Sequence, residues 1–382
     1  MSNEPIVPPA TIGMMGGGQL GRYALIAART MGYRTLVVDP DPSAPAGAVA
    51  DVHLMAAYDD PAALQRITLD CDVVTTEFEN PPAGALDHLA ERVRVAPSPA
   101  SVRIAQDRIA EKQFLVENGF TVGPYLVLDE PETVIPRGIV ASVVEGGAIV
   151  KTARLGYDGK GQRRVADTAG MHAAWAELGG VACVVERVLD LDLELSVIVA
   201  RTADGRIEPW PVAENRHVDG ILDVSVVPAR VDESTADRAI GIASAIADAL
   251  GYVGVLAVEL FVVGGELLVN ELAPRPHNSG HWTLDASATS QFEQQIRAVC
   301  GVGLGRTTMT APSIAMVNLL GDLWANGTPD WSVVLDEPRA KLHLYGKSQA
   351  RRGRKMGHLT VTSQVATEAV ERALDLRRRC AR

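Results

Sequence analysis

The sequence predicts three domains: an α/β unit built on a parallel sheet, followed by two mixed α+β units. Three observations carry this. The chain has 382 residues, more than one hydrophobic core usually holds. Its first stretch alternates short apolar runs with helical periodicity, the pattern of βαβ units. Its middle third turns β-rich and contains a Gly-Gly hairpin signal.

In order, strands are expected at Thr11 to Met15, Thr35 to Asp39 and Val73 to Thr76, with helices from about Gln19 to Met31 and near Pro61 to Leu69. A further helix runs from about Asp107 to Asn118, where Asn118-Gly119 is a stop signal, and the first unit closes there as residues 1–118. The second unit, 119–304, has strands at Ala148 to Lys151, Ala182 to Arg187 and Leu193 to Ala200, then a helix from about Asp232 to Leu250. Strands Gly254 to Phe261 and Glu266 to Leu272 follow, joined by a glycine turn. The third unit, 305–382, holds shorter strands near Ile314 to Leu319 and Lys341 to Tyr345, a basic loop, and an amphipathic helix from about Ser363 to Arg379.

Composition removes several function classes. No apolar run is long enough to span a bilayer, and the N-terminus lacks the charged start and apolar stretch of a secretory signal, so a cytoplasmic protein is expected. Cys71, Cys183, Cys300 and Cys380 are scattered, without metal-ligand spacing, and read as reduced structural thiols. A net charge of -11 opposes nucleic-acid binding but leaves room for a local cationic pocket around a small anion.

Gly16-Gly17-Gly18-Gln19-Leu20-Gly21 fits GxGxxG between a strand and a helix, with Asp39 ending the next strand. Glycines admit a close backbone approach and helix N-terminal amides attract anions, so a phosphate is expected here, although the motif does not say whose. On this unit alone an NAD(P)-dependent oxidoreductase leads. The rest of the chain reverses that order.

Glu259 and Glu271 lie on the two strands joined by the glycine turn. If residue 265 is the turn centre they are directly opposed; a two-residue Gly264-Gly265 turn would instead pair 259 with 270 and send Glu271 to the other face. Opposed carboxylates on an apolar sheet call for a cation, and oxygen-only ligation favours Mg²⁺. The alternative is two solvated edge glutamates. Downstream, Pro274 to His281 forms a polar loop in which Asn278 offers a third oxygen ligand and Arg275 a fixed cation for transferring phosphate. Lys151 ends a strand just before Gly156-Tyr157-Asp158-Gly159-Lys160-Gly161, an arrangement suited to holding and covering nucleotide phosphates, or simply a hairpin turn. Glu186 and Glu194 flank a strand break and suit hydrogen bonds to an adenine amine or a ribose, or have no role.

Together these residues resemble the ATP-grasp superfamily and, within it, the N5-carboxyaminoimidazole ribonucleotide synthases. The resemblance covers nearly the whole chain. It is carried by GGGQLGR (16–22), TEFEN (76–80), QDR (106–108), Val150-Lys151, GYDGKGQ (156–162), VER (185–187), GYVGVLAVE (251–259), NELAPRPHNSGHWT (270–283) and RKMGHLT (354–360).

The resemblance implies a three-domain ATP-grasp fold with an N-terminal Rossmann-like domain, and ATP-dependent carboxylation of 5-aminoimidazole ribonucleotide with bicarbonate. It implies ATP contacts at Arg108, Lys151, the Gly156 to Gly161 loop, Glu186, Arg187, Val188, Leu189, Glu194, Asn270 and Glu271, with magnesium at Glu259 and Glu271. Substrate contacts are implied at Gly18, Gln19 and Leu20, at Glu77 or Glu79, and at Tyr157, Asp158, Arg275, Asn278, Lys347 and Arg354. Lys151, Arg275 and Asp158 are the expected catalytic groups, Asp158 orienting the amine or taking its proton. A homodimer is implied too. One departure stands out: Ala350 and Arg352 are unexpected in the 347–355 loop, which leaves open which arginine grips the phosphate. Other ATP-grasp carboxylases or formyl-transfer ligases are the nearest alternatives, and a noncatalytic ATP-binding protein a further one.

Overall fold

The computed structural model describes residues 4–129, 137–156 and 161–381. The N-terminal unit is a five-stranded, all-parallel sheet in the order Val52–Leu54, Arg34–Val38, Thr11–Met15, Val73–Thr76, Arg94–Val95. Alternation along its central strand explains the layering. Ile12 and Met14 face a core with Tyr23 of helix Gln19–Thr30, while Met15 faces the opposite core with Ile67 of helix Pro61–Asp70. The two edge strands were not expected; runs of three and two residues are too short to show a period. Phe292 and Ile296 of helix Gln291–Val299 enter the first of these cores, fixing the unit to the rest of the molecule.

Helix Arg108–Glu117 begins at Asp107, whose carboxylate accepts from the Ile109 and Ala110 amides, and ends at Asn118 as the sequence predicts. Beyond it lies a four-stranded antiparallel sheet ordered Tyr125–Leu128, Cys183–Arg187, Ala148–Thr152, Gln162–Val165.

The largest sheet has nine strands. Its path runs Glu266–Ala273, Gly254–Val263, Leu193–Arg201, Ala213–Val218, Ile221–Val227, Ser313–Leu320, Lys355–Ser363, Ala340–Leu344, with Ile207–Pro209 beside Leu193–Arg201. Residues on both sides of position 304 share this sheet, since Val224 pairs with Val317. Register shifts interrupt it between Arg216 and His217, Glu259 and Leu260, and Leu319 and Leu320. The last helix runs Ala366–Cys380 and buries Ala369, Ala373, Leu376 and Cys380 against the sheet.

Two corrections belong here. Ala213–Val218 and Ile221–Val227 were missed because their charges are neutralised in place, Glu214 by Arg230 and Asp223 by Arg216 and Arg377. Lys355–Ser363 is a strand where a basic loop and the start of the last helix were expected; His358 and Thr360 are fully buried in it, so polarity hid the pattern. No helix among the described residues is long and apolar enough to cross a membrane.

Candidate active site

The hairpin carboxylates are opposed, by a route neither sequence alternative foresaw. Gly264 and Gly265, at φ 57° and 81°, form a two-residue turn, and Val263 pairs with Glu266, Val262 with Leu267 and Leu260 with Val269. That register alone would send Glu271 to the far face. A β-bulge inserts Asn270 as an extra residue, so Glu259 pairs with Glu271 and both carboxylates share one face. Of the two turns the sequence left open, the two-residue one forms, and the bulge restores the opposition that this turn alone would have lost.

Cationic groups converge on this face. Arg108 reaches Glu271 at 3.0 Å, and its Nη2 donates to the Gly156 carbonyl at 3.4 Å. Lys112 lies one helical turn after Arg108 and was missed by the sequence reading. It is 3.0 Å from Glu186 and donates to the Asn270 carbonyl at 2.9 Å; its i, i+4 spacing from Arg108 was the available signal. Lys151 also pairs with Glu186. Burial pushes the Glu186 carboxyl up, but the two lysines outweigh it and hold it at about 2. Arg187 and Val188 connect through their amides to Pro124 and Gly147, and Leu189 lies beside Gly123. Glu194 sits 2.5 Å from His217, another residue the sequence reading did not single out.

The 274–281 loop closes the site. His277 Nε2 lies 3.1 Å from Glu259; although burial raises the Glu259 carboxyl, His277, His217 and Lys355 bring it below the usual carboxylate range. Both polar atoms of the Asn278 side chain are buried without a protein partner. The opposed carboxylates of Glu259 and Glu271 are the oxygen donors that a hard divalent cation takes, and the orphaned Asn278 amide, one residue on from the His277 that reaches Glu259, offers a further oxygen, so these residues fit Mg²⁺.

Arg275 donates to Glu79 at 2.7 Å, and this contact keeps the Glu79 carboxyl low against the effect of burial. Glu77 and Glu79 do not alternate on one strand as expected, because the strand ends at Thr76. Glu77 turns instead to the glycine loop, accepting from the Gly18 amide at 2.7 Å and the Gly21 amide at 3.0 Å, while Asp39 accepts from Gly17 at 2.7 Å. The amides that would cradle a dinucleotide pyrophosphate are therefore filled by the protein's own carboxylates. A Cβ on Gly18 would sit 2.4 Å from Glu77 Oε1, which accounts for the glycine there without a nucleotide. Gln19 and Leu20 open the helix next to this cap.

Lys347 is close enough to help restrain the raised pKa of the Glu77 carboxyl, and its Nζ donates to the Lys355 carbonyl at 2.9 Å. Arg354 is half-buried and near Asp41, whereas Arg352 is 92% exposed. Tyr157, Asp158, Gly159 and Lys160 lie outside the described residues; Gly156 and Gly161 flank them, and Gly161 has a φ of 70°. Asp285, His343 and His358 bring ligand-type atoms within 4.8 Å of one another. The two imidazoles, however, stack at 4.5 Å with planes 12° apart, so their lone pairs cannot converge on one ion. His281 stacks on the other side of His358 at 4.5 Å, and burial keeps both of these rings neutral.

Three family descriptions match successive stretches: a ribonucleotide synthetase preATP-grasp domain at 9–106, an ATP-grasp domain at 113–292, and a phosphoribosylaminoimidazole carboxylase C-terminal domain at 314–372. Fold and site together define an ATP-grasp ligase. The chain is 46% identical over 363 residues to the N5-carboxyaminoimidazole ribonucleotide synthase of Brucella melitensis, covering 94% of this chain and 98% of that protein. A crystal structure of an N5-carboxyaminoimidazole ribonucleotide synthetase as its ADP complex superposes with a TM-score of 0.90 at 39% identity, covering 98% of each chain. The Aspergillus clavatus synthase in complex with ADP and 5-aminoimidazole ribonucleotide superposes with a TM-score of 0.85 at 28% identity, covering 97% of this chain and 99% of that one. The chain belongs to the N5-carboxyaminoimidazole ribonucleotide synthase family.

Proposed function

We propose that this protein uses ATP to carboxylate 5-aminoimidazole ribonucleotide with bicarbonate, forming the N5-carboxyamino product, ADP and phosphate in purine biosynthesis. The observation that carries the proposal is the bulge that sets Glu259 beside Glu271, with Arg108 on Glu271 and with Lys112 and Lys151 paired to Glu186.

Bicarbonate is a poor electrophile and must be activated before a weakly nucleophilic amine can attack it. A bicarbonate oxygen attacks the γ-phosphorus of ATP, the bond to the β-phosphate oxygen breaks, and carboxyphosphate and ADP form. Lys151 and Arg275 neutralise the charge that develops on the transferring phosphoryl group. Glu259, Glu271 and Asn278 would hold Mg²⁺, which supplies charge neutralisation at the phosphates. The exocyclic amine then attacks the carboxyl carbon, either of carboxyphosphate, with phosphate leaving, or of the CO₂ that carboxyphosphate releases with phosphate, and Asp158 is the proposed acceptor of the amine proton. The Gly156 to Gly161 loop is assigned the role of covering the intermediate from water.

Adenine and ribose are assigned to Glu186, Arg187, Val188, Leu189 and Glu194, with Arg108 and Asn270 completing the nucleotide site. The aminoimidazole ribonucleotide is assigned to Gly18, Gln19, Leu20, Tyr157 and the Glu77/Glu79 segment, and its phosphate to Lys347 and Arg354. The half-buried setting of Arg354 favours it over Arg352. Units 1–118, 119–304 and 305–382, a homodimer and a cytoplasmic location belong to the same reading.

The test is ADP release from MgATP plus aminoimidazole ribonucleotide, in buffer stripped of CO₂ and then with bicarbonate restored. ADP formation that requires the nucleotide and rises with bicarbonate is expected. ADP release indifferent to both would refute the assignment.

A further inference from the structure

A line of polar side chains crosses the otherwise apolar central sheet on the face that carries Glu259. Asn215 pairs with Ser225 on one neighbouring strand and with Glu194 on the other; Ser196, two residues on from Glu194, pairs with Glu259, which pairs with Glu271. Strand alternation puts all of them on one face. Ser225, Asn215 and Ser196 are 0%, 7% and 1% exposed, and Ser279, in the short helical turn Asn278–Gly280 above them, is 0% exposed.

These side chains are joined end to end. Ser225 Oγ donates to Asn215 Oδ1 at 2.7 Å, Asn215 Nδ2 donates to Ser196 Oγ at 2.9 Å, and Ser196 Oγ lies 2.8 Å from Ser279 Oγ. Ser279 Oγ lies 2.8 Å from His277 Nδ1, and His277 Nε2 lies 3.1 Å from Glu259 Oε1.

Proton accounting gives the chain a direction. The Ser279 backbone amide, which can only donate, points at His277 Nδ1 at 3.3 Å, so Nδ1 is an acceptor and the ring proton sits on Nε2. Ser279 Oγ then donates to Nδ1, and Ser196 must donate to Ser279. That leaves the Ser196 lone pair for the Asn215 amide and the Asn215 carbonyl for Ser225. Every donor points towards Glu259, and each proton is used once.

We infer that Ser225, Asn215, Ser196 and Ser279 form a one-way hydrogen-bond relay that locks His277 as its Nε2–H tautomer and so fixes the orientation of the Glu259 carboxylate. They are positioning residues. Carboxylates that ligate metals are characteristically held by such outer partners, whose loss lowers metal affinity or activity about 10- to 100-fold. A purely structural network could run in either direction and end anywhere; this one ends on the carboxylate that the bulge sets beside Glu271. The kinetic consequence rests on the carboxylation reading, and the tautomer does not.

The test uses the full-length protein labelled with ¹⁵N-histidine, free of nucleotide and metal, and long-range ¹H–¹⁵N correlation spectra in which His277 is assigned by its loss in His277→Gln. The wild type should show Nε2–H at His277, Ser279→Ala, which leaves Nδ1 only the 3.3 Å amide contact, a mixed tautomer, and Ser279→Thr, which keeps the hydroxyl, the wild-type pattern. Ser196→Ala keeps both donors to Nδ1 and so the tautomer, but should shift the Nδ1 resonance as Ser279 loses the hydrogen bond it accepts. In steady-state assays Ser279→Ala should raise the KM for MgATP about tenfold with the KM for the aminoimidazole ribonucleotide unchanged, and Ser279→Thr should restore it. If Ser279→Ala does not fold, Ser196→Ala is the variant to read. Nδ1–H in the wild type, or a His277 signal unmoved by either variant, overturns the relay. The predicted tautomer shift in a protein that fails to carboxylate would leave the relay standing and reject only the assigned reaction.

Discussion

The glycine loop and the carboxylate hairpin are both strand-end motifs, yet they answer the question of charge in opposite ways. At the glycine loop the Gly17, Gly18 and Gly21 amides are consumed by Asp39 and Glu77, so they leave no cradle for a dinucleotide pyrophosphate. At the hairpin, Glu271 is countered by Arg108 and Glu259 by His277, both from other elements, and the Asn278 amide is left without a protein partner. A motif therefore announces chemistry only where its polar groups are left over after folding. That criterion, more than the GxGxxG spacing, separates this enzyme from the oxidoreductase its first unit suggests.

Variants at four residues and one cofactor titration bear on the contrast. Glu271→Gln removes one of the paired charges and should lower kcat for ATP cleavage about a thousandfold, roughly 4 kcal/mol, with an unchanged circular dichroism spectrum. Retained turnover would take Glu271 out of the site. Glu186→Ala strands Lys112, whose side chain is 4% exposed, and should cost roughly 3 kcal/mol in urea unfolding. The same carboxyl sets an acid limb. Its pKa falls from 4.5 to about 2 on folding, so its contribution is full above pH 4.5 and is lost as pH drops towards 2. Glu186→Gln should flatten that limb in acid titrations of stability.

Glu77→Ala uncaps Gly18 and Gly21 and should cost about 2 kcal/mol by thermal denaturation. The wild type should give no saturable fluorescence change with NADH or NADPH; saturable binding would mean the carboxylate caps yield to a pyrophosphate. The smallest effect is expected from Arg352→Ala, within about 0.5 kcal/mol in stability and without change in the KM for the aminoimidazole ribonucleotide. A large rise in that KM would move the phosphate grip from Arg354 to Arg352.

Much of this was legible in the sequence. Thr11–Met15 and the helix between Asp107 and Asn118 were readable to the residue because apolar periodicity and capping residues agree there. The strands Ala213–Val218 and Ile221–Val227 escaped although Asp219-Gly220 between them, at φ 52° and 75°, is a strong hairpin signal. Their buried Glu214 and Asp223 look like surface residues until Arg216 pairs across the hairpin and Arg230 and Arg377 arrive from beyond it. The opposition of Glu259 and Glu271 was legible as chemistry but not as geometry, since a bulge is settled by tertiary packing around Asn270 and leaves no spacing to read. Lys112 and His217 matter through partners more than sixty and twenty residues away; the i, i+4 spacing from Arg108 is the one local sign of Lys112, and no local pattern marks His217.

The three register shifts in the nine-stranded sheet have a further consequence. Counted along the sheet, the strand of Glu259 and the strand of Lys355 are five interstrand steps apart, about 24 Å if the sheet were flat. Yet the Lys355 charge is among those that lower the Glu259 carboxyl. Bulges bend strands and increase their twist, so the three register shifts curve the sheet away from that flat span. Curvature acts here as a ruler. It sets how far the basic loop of one chain end stands from the acidic hairpin of the middle, and so the length of molecule that can bridge them.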